Sequence, residues 1–321
     1  MRCNWCEFRC DLSKGSVCGC YHEQAGKVAE KYPEQWLPPY FFPMEALPFY
    51  HVIPNAKAMQ LGAVGCNAGC EYCINAHISI DIHPQEAKME VLTPASLLHV
   101  AKERDAQALV FAINEVTVRM PSALAVTQLF HENGLKVGCL TNGFQTEEAA
   151  TLLAENMDFI NVSLKSIRDE FYQRELRLPA AVPVLRNIRI FKEHCHVEIV
   201  TPIADDIQEA ELYQIADFIE QTDRETPWHL FRLFQAEKHP NDKRRDYQES
   251  IDFTEKIRAR LPYTYFENFP GSKWVDTICP GCGHTVVKRI SIGACGSQFV
   301  RSDLMDGDRC PFCGQAIPIV R

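Results

Sequence analysis

The chain has 321 residues, a formal net charge of −9, a 46% hydrophobic fraction and 15 cysteines. That length holds one large domain with appendages, and no apolar run is long enough for a membrane span, so no membrane partner is expected. The acidic balance disfavours nucleic acid as a partner, and a start reading MRCNWCEFRC without an apolar stretch points to the cytoplasm, where clustered cysteines bind metal rather than form disulfides.

Residues 1–30 carry Cys3, Cys6, Cys10, Cys18 and Cys20. The first four offer thiolates at short spacings, suited to zinc or to an auxiliary iron–sulfur cluster, and Cys20 has no evident duty. A connector rich in proline and aromatics, residues 36–54, cannot form a regular helix and is expected to run over the surface. Short apolar runs then alternate with amphipathic segments. Strands are predicted at 57–64, 106–113, 135–140, 158–164, 196–203 and 228–234. Helices are predicted at 94–104, 121–133, 146–156, 182–194, 208–221 and 248–260. Thr93-Pro94 and Thr146-Glu147-Glu148 are helix-opening signals. Strands alternating with helices imply a parallel α/β sheet, and six such units fit a partial (β/α)6 barrel with its chemistry at the carboxyl ends of the strands.

GCNAGCEYC (65–73) follows the first strand. Its C-x3-C-x2-C spacing puts Cys66, Cys70 and Cys73 on one loop. Three thiolates can hold three irons of a [4Fe–4S] cube and leave the fourth open to a small molecule. Zinc wants a fourth ligand, and His77 is the candidate. Near the C-terminus, CPGCG and CPFCG place Cys279, Cys282, Cys310 and Cys313 as a zinc-ribbon or rubredoxin-like set for zinc or mononuclear iron. His284 and Cys295 are spare candidates there, and Cys139 and Cys195 read as packing residues. The expected division is a Cys-rich segment and connector at 1–55, a barrel at 56–270 and a metal module at 271–321.

The triplet loop, with Tyr72 before its last cysteine, resembles the signature of the radical S-adenosylmethionine (SAM) superfamily. The match to the radical SAM enzymes of the AmmeMemoRadiSam system, relatives of pyruvate formate-lyase activating enzyme, runs nearly the whole chain. It rests on Cys3 to Cys18, PFYH (48–51), INEV (113–116), LTNGF (140–144), NVSLKS (161–166), EFYQ (170–173), TPWHLFRLF (226–234) and the C-terminal pairs.

The resemblance implies SAM bound at the open iron and cleaved by one electron from a reduced flavodoxin- or ferredoxin-type donor. The resulting 5′-deoxyadenosyl radical would take a hydrogen atom from an unidentified small molecule or protein. It implies that Asn114 and Glu115 meet the SAM ammonium, that Thr141 and Asn142 reach its ribose or carboxylate, and that Ser163 and Lys165 lie near its methionine end. Lys165, His229 and Arg232 would serve the reaction. From the residues alone, Glu115 also reads as a loop acid, Asn142-Gly143 as a turn, Lys165 as a surface lysine and His229 as a core histidine. Val116, Ser163, the ADD at 204–206 and the RLFQA at 232–236 depart from the family pattern and put the substrate in doubt. A glycyl-radical activase and a non-catalytic metal scaffold are the alternatives.

Overall fold

The computed structural model describes residues 1–81, 88–203, 209–233, 247–268, 273–291, 293 and 296–321. The ADD at 204–206, most of RLFQA and Cys295 lie outside them. The chain forms two compact units. The first comprises Met1–Phe42, Lys57–Val162 and Arg168–His196, and the second Pro43–Ala56, Ser163–Ile167 and Val197–Arg321.

The first unit opens with a hairpin of β1 (Tyr21–Gln24) and β2 (Lys27–Glu30), turned at Ala25-Gly26 with both residues at positive φ. Its main sheet is parallel and runs through β3 (Lys57–Leu61), β4 (Ala108–Phe111), β5 (Lys136–Thr141) and β6 (Phe159–Ser163). The strands are near-continuous apolar runs because helices cover parallel sheets; all four residues of β4 are buried. The intervening helices are α1 (Pro94–Glu103), α2 (Met120–Glu132), α3 (Glu147–Asn156) and α4 (Val182–His194). The threonine caps form as the sequence predicts. Thr93 Oγ1 accepts the Ser96 N–H at 3.2 Å, and Thr146 Oγ1 accepts the Ala149 N–H at 3.2 Å.

The second unit places β7 (His196–Ile203), β8 (Trp228–Arg232) and β9 (Thr264–Glu267) in parallel register, with α5 (Glu209–Asp223) and α6 (Tyr247–Ile257) between them. An antiparallel set follows: β10 (Thr277–Ile278), β11 (Thr285–Ile290) and β12 (Gln298–Ser302). The architecture is therefore α/β with mostly parallel strands.

Two features depart from expectation. β9 was not among the predicted strands, because TYFE is short and ends on a charge, yet all four residues are buried. The connector keeps to the surface only in its first half, where Tyr40 and Phe42 are exposed, and its second half turns inward. Met44, Phe49, Tyr50, His51 and Val52 are wholly buried in the second unit. Its prolines prevent a helix but not burial. The peptide groups of Tyr50 and His51 find a buried carboxylate, described below.

Strand β5 has no room for a side chain at Gly138. A Cβ there would lie 2.2 Å from the Phe159 ring and 2.3 Å from the Phe159 carbonyl oxygen. Gly138→Ala is expected to destabilise the first unit by roughly 3 kcal/mol, because neither the sheet backbone nor the core ring can move aside. Urea unfolding midpoints of the two proteins measure this.

Candidate active site and metal centres

In the first unit the cysteine triplet meets the carboxyl ends of β4 and β5. The loop leaves β3 through Gly62, whose Cβ would sit 2.6 Å from the Ala112 carbonyl oxygen, so only glycine permits this approach. The loop is tied down by backbone bonds from Gly69 N to Leu176 O (2.8 Å) and from Glu71 N to Glu175 O (2.9 Å). Cys66 Sγ accepts the Ala68 N–H at 3.3 Å. Such a donor rewards a thiolate, the form that binds iron. Cys70 is buried, and Cys66 and Cys73 are half-buried. Three thiolates on one anchored loop fit the cluster. His77 is exposed.

Asn114 and Glu115 fasten this loop to the sheet. Ile113, just before them, is a β-branched residue at φ 77°, an uncommon and strained conformation. Its carbonyl accepts a bond from Asn75 Nδ2 at 2.9 Å. Asn114 Oδ1 accepts the Ala63 N–H (2.9 Å), and its Nδ2 donates to Gly65 O (3.0 Å). Glu115 is buried. Its Oε1 accepts from Thr117 N (3.1 Å), Thr117 Oγ1 (2.6 Å), Thr141 Oγ1 (2.9 Å) and Gln145 Nε2 (3.1 Å), and its Oε2 accepts from Asn142 N (2.7 Å). Five donors hold the carboxylate in place, and none of these is a cation. Asn142 Nδ2 reaches Asn67 Oδ1 at 2.7 Å and lies 3.8 Å from Cys66 Sγ. Cys66, Asn114, Glu115, Thr141 and Asn142 thus form one bonded constellation.

The N-terminal cysteines belong to the same unit. Cys3 and Cys20 are buried with Leu12, Tyr21 and Val118, and Cys10 and Cys18 pack against them. Cys6 forms a β-bridge with Gln145, and the Thr146 hydroxyl donates to Asn4 O at 2.7 Å. Burial pushes the Cys3 thiol up to about 11 and the Cys6 thiol up to about 12. None of the described cysteines is in a disulfide.

The remaining site residues lie in the second unit. Ser163 and Lys165 are half-buried, and Ser166 beside them donates to Glu211. Arg232 is half-buried at the end of β8, with its carbonyl accepting from Asn268 Nδ2 at 3.1 Å. His229 is fully buried. Its Nε2 lies 2.6 Å from Glu198 Oε2, and its Nδ1 bonds Glu267. Burial pulls the imidazolium down, but the Glu267 charge and the bonds to both carboxylates outweigh it and raise the group to about 9. Glu198 also accepts the N–H groups of Tyr50 (3.0 Å) and His51 (2.9 Å). Arg289 completes the network, donating to Tyr50 O (2.6 Å) and Thr277 Oγ1 (2.8 Å) with its guanidinium over the Tyr50 ring.

The C-terminal cysteines form two matching knuckles. Gly283 N donates to Cys279 O and Gly314 N to Cys310 O, each at 2.9 Å, with both glycines at positive φ. Cys279, Cys282, Cys310 and Cys313 bring their sulfurs within 4.8 Å of one another, the spread that a single tetrahedral ion takes. His284 stacks on Phe312, and its Nδ1 lies 3.3 Å from Cys282 Sγ.

Sequence reasoning missed Gln145, Asn67, Thr117, Glu198 and Glu267. Only Gln145 had a local signal, directly after LTNGF. The carboxylates come from strand positions that look like ordinary alternation.

These features define a protein whose α/β domain carries a cysteine loop at its strand ends. Residues 62–219 match the Radical SAM superfamily, and the chain is an enzyme of the radical SAM type. Such enzymes need a reductant. The chain is 26% identical to the uncharacterized protein MJ0808 of Methanocaldococcus jannaschii over 340 aligned positions, covering 100% of this chain and 96% of that protein. Streptococcus suis SuiB shares the fold at a TM-score of 0.51 and 12% identity, over 64% of this chain. SuiB bound to its precursor peptide SuiA gives 0.51 and 11%. This chain spans about half of SuiB, 47% of its length. No described helix is long and apolar enough to cross a membrane.

The buried imidazolium makes stability pH-dependent. The His229 group titrates near 9 when folded against 6.5 for a free imidazole, so its contribution is complete below about pH 6.5 and is lost as pH rises through about 9. Unfolding free energy should fall by roughly 3 kcal/mol across that window, and His229→Gln should flatten this part of the profile. Urea titrations at a series of pH values measure both.

Proposed function

We propose that this chain reductively cleaves SAM at a [4Fe–4S] cluster on Cys66, Cys70 and Cys73 and directs the radical to a hydrogen atom of a substrate still to be identified. The observation that supports this reading most is the bonded chain from Cys66 through Asn142 to Glu115, which ties a three-thiolate loop to two strand ends. A cluster held by Cys66, Cys70 and Cys73 would supply the electron for cleavage of the sulfonium C–S bond.

The protein residues orient and exclude water. Glu115 and Thr141 fix the backbone at Asn142, which leaves Asn142 poised beside the cluster loop. Asn114 and Glu115 would meet the SAM ammonium once donors within the constellation exchange for it. Lys165, with Ser163 beside it on the strand, would pair with the methionine carboxylate. Ser163, which departs from the pattern of the resembled family, offers a neutral hydroxyl there. Arg232 serves the substrate side, and His229 acts through its two carboxylates.

The same reading includes a partial (β/α)6 barrel at 56–270, a Cys-rich segment at 1–55 and a metal module at 271–321. Zinc suits the C-terminal knuckles best, with mononuclear iron second. The electron donor is a reduced flavodoxin or ferredoxin.

Anaerobically reconstituted protein should convert SAM to 5′-deoxyadenosine with dithionite or reduced flavodoxin. Cys70→Ala should abolish conversion, and unchanged conversion would sink the reading. Lys165→Met should keep iron and sulfide and weaken SAM binding by roughly tenfold, about 1.4 kcal/mol, as expected for one lost charge-assisted contact. Glu115→Ala should instead lower folding stability by about 3 kcal/mol, because its donors are left buried without an acceptor. Equilibrium SAM binding and urea unfolding separate the two variants.

A further inference from the structure

The triplet loop is clamped at both of its ends, and the two clamps use different residues. At its entry, Asn114 spans the Ala63 N–H and the Gly65 carbonyl. At its exit stands Asn75, two positions after Cys73, whose Nδ2 donates to Ile113 O at 2.9 Å. The Asn75 carbonyl accepts the Ile78 and Ser79 N–H groups at 2.9 and 2.8 Å, so the short helix Ala76–Ser79 fixes the backbone that carries this amide. Both clamps close on consecutive residues, Ile113 and Asn114, just beyond the carboxyl end of β4, and Glu115 follows directly.

Ile113 is where this arrangement is under tension. Its φ of 77° is a conformation that glycine takes freely and a β-branched residue avoids. Relaxing φ to the ordinary negative range would reorient the peptides on either side. The Ile113 carbonyl and the Asn114 side chain could not then both keep their partners. The side chain of Ile113 also lies against the start of the loop, since a Cβ on Gly62 would come within 3.1 Å of Ile113 Cβ and Cδ1. A strained conformation persists only where its surroundings over-determine it, and such places cluster at ligand sites. Here the Asn75 bond lies on one side of the strained residue and the Asn114 bonds on the other.

We propose, on the reading that the triplet's cluster binds SAM, that Asn75 is a positioning residue for that ligand. Its amide holds the Ile113 peptide at positive φ and so sets where Asn114 and Glu115 stand relative to Cys66, Cys70 and Cys73. The donors to Glu115 come from Thr117, Thr141, Asn142 and Gln145, so losing the Asn75 bond leaves that network its own partners. What changes is the register between the loop's exit and the strand end. Three thiolates on one loop hold iron without help from the strand end. SAM must meet the loop and the strand end together, so a slip between them costs ligand affinity before it costs iron.

Equilibrium SAM binding to the anaerobically reconstituted full chain, with iron and sulfide measured on the same samples, tests this. Asn75→Ala and Asn75→Asp should keep the iron and sulfide of the unaltered protein and bind SAM about tenfold more weakly. Aspartate keeps the shape of asparagine and lacks the donor, so its loss isolates the bond from the volume. In an Ile113→Gly background, Asn75→Ala should cost about twofold or less, because glycine holds positive φ without a clamp. Unchanged SAM affinity in both Asn75 variants overturns the role. Loss of iron and sulfide in step with SAM binding overturns it too, since Asn75 would then only staple the cysteine loop. An equal tenfold loss in both backgrounds removes Ile113 from the account and overturns the mechanism. Each of these three results leaves the SAM reading intact. Unaltered protein that holds its cluster and binds no SAM sinks that reading, and this role with it.

Discussion

A carboxylate taken out of water must collect donors, and the first unit is arranged around one that does. Glu115 gathers five, from Thr117, Thr141, Asn142 and Gln145. Each donor is itself committed elsewhere. Gln145 Nε2 also bonds Thr117 Oγ1 and Thr141 Oγ1, both at 2.7 Å, and its backbone bridges to Cys6. Asn142 reaches back to Asn67 in the cysteine loop. The loop is therefore positioned by a polar network rather than by apolar packing. Such a network specifies one arrangement, because shifting any member leaves a buried polar atom unsatisfied. The positive φ at Ile113 fits this picture. The bonds of Asn114 and Glu115 hold a backbone conformation that Ile113 alone would not choose.

The second unit solves a related problem with a cation. Glu198 and Glu267 flank His229, and Arg289 lies over the Tyr50 ring. Buried charges persist only when paired and hydrogen-bonded. Here the His51 N–H donates to Glu198 Oε1, and the Tyr50 N–H donates to the Oε2 that also meets His229. His51 continues the network, with Nε2 2.6 Å from the Tyr265 hydroxyl and Nδ1 3.1 Å from Pro318 O. The PFYH segment is thus a cap on a buried acid, and the WHLFR strand supplies the imidazole. Two sequence motifs separated by most of the chain serve one electrostatic purpose.

The strands and helices were legible because their signals are local. Apolar runs four to eight residues long and threonine caps mark them without tertiary help. The cysteine loop and the knuckles were legible because metal chemistry dictates spacing. What stayed hidden depends on pairing across long sequence separations. Glu198 sits in HVEIVTPI, where one acid among apolar residues looks like a solvent-facing alternation, yet it is wholly buried. Glu267 and the strand around it were invisible for the same reason. Only the second half of the connector, from Met44 to Val52, is buried against expectation, because prolines report on helix propensity and not on burial. Asn114 and Glu115 were read for what a ligand would need, whereas their first duty is to close the loop they stand beside.

The three cysteine groups differ in how much fold they must supply. The C-terminal knuckles already converge, with Cys279 and Cys313 sulfurs 3.5 Å apart and Cys282 and Cys310 sulfurs 3.6 Å apart. Uncharged thiols gain little from such closeness, so a bound ion accounts for it best. In the triplet loop, Glu115 and its donors set the geometry and the sulfurs follow. The N-terminal group stands between these cases. Its cysteines share a small apolar cluster with Leu12, Tyr21 and Val118, and the Tyr21 hydroxyl donates to Thr117 O at 2.7 Å. Thr117 in turn bonds Glu115. The same buried carboxylate therefore fixes both the loop that carries the triplet and the module that faces it. A substitution at Glu115 would disturb both groups together, which makes their geometry a single property of the first unit.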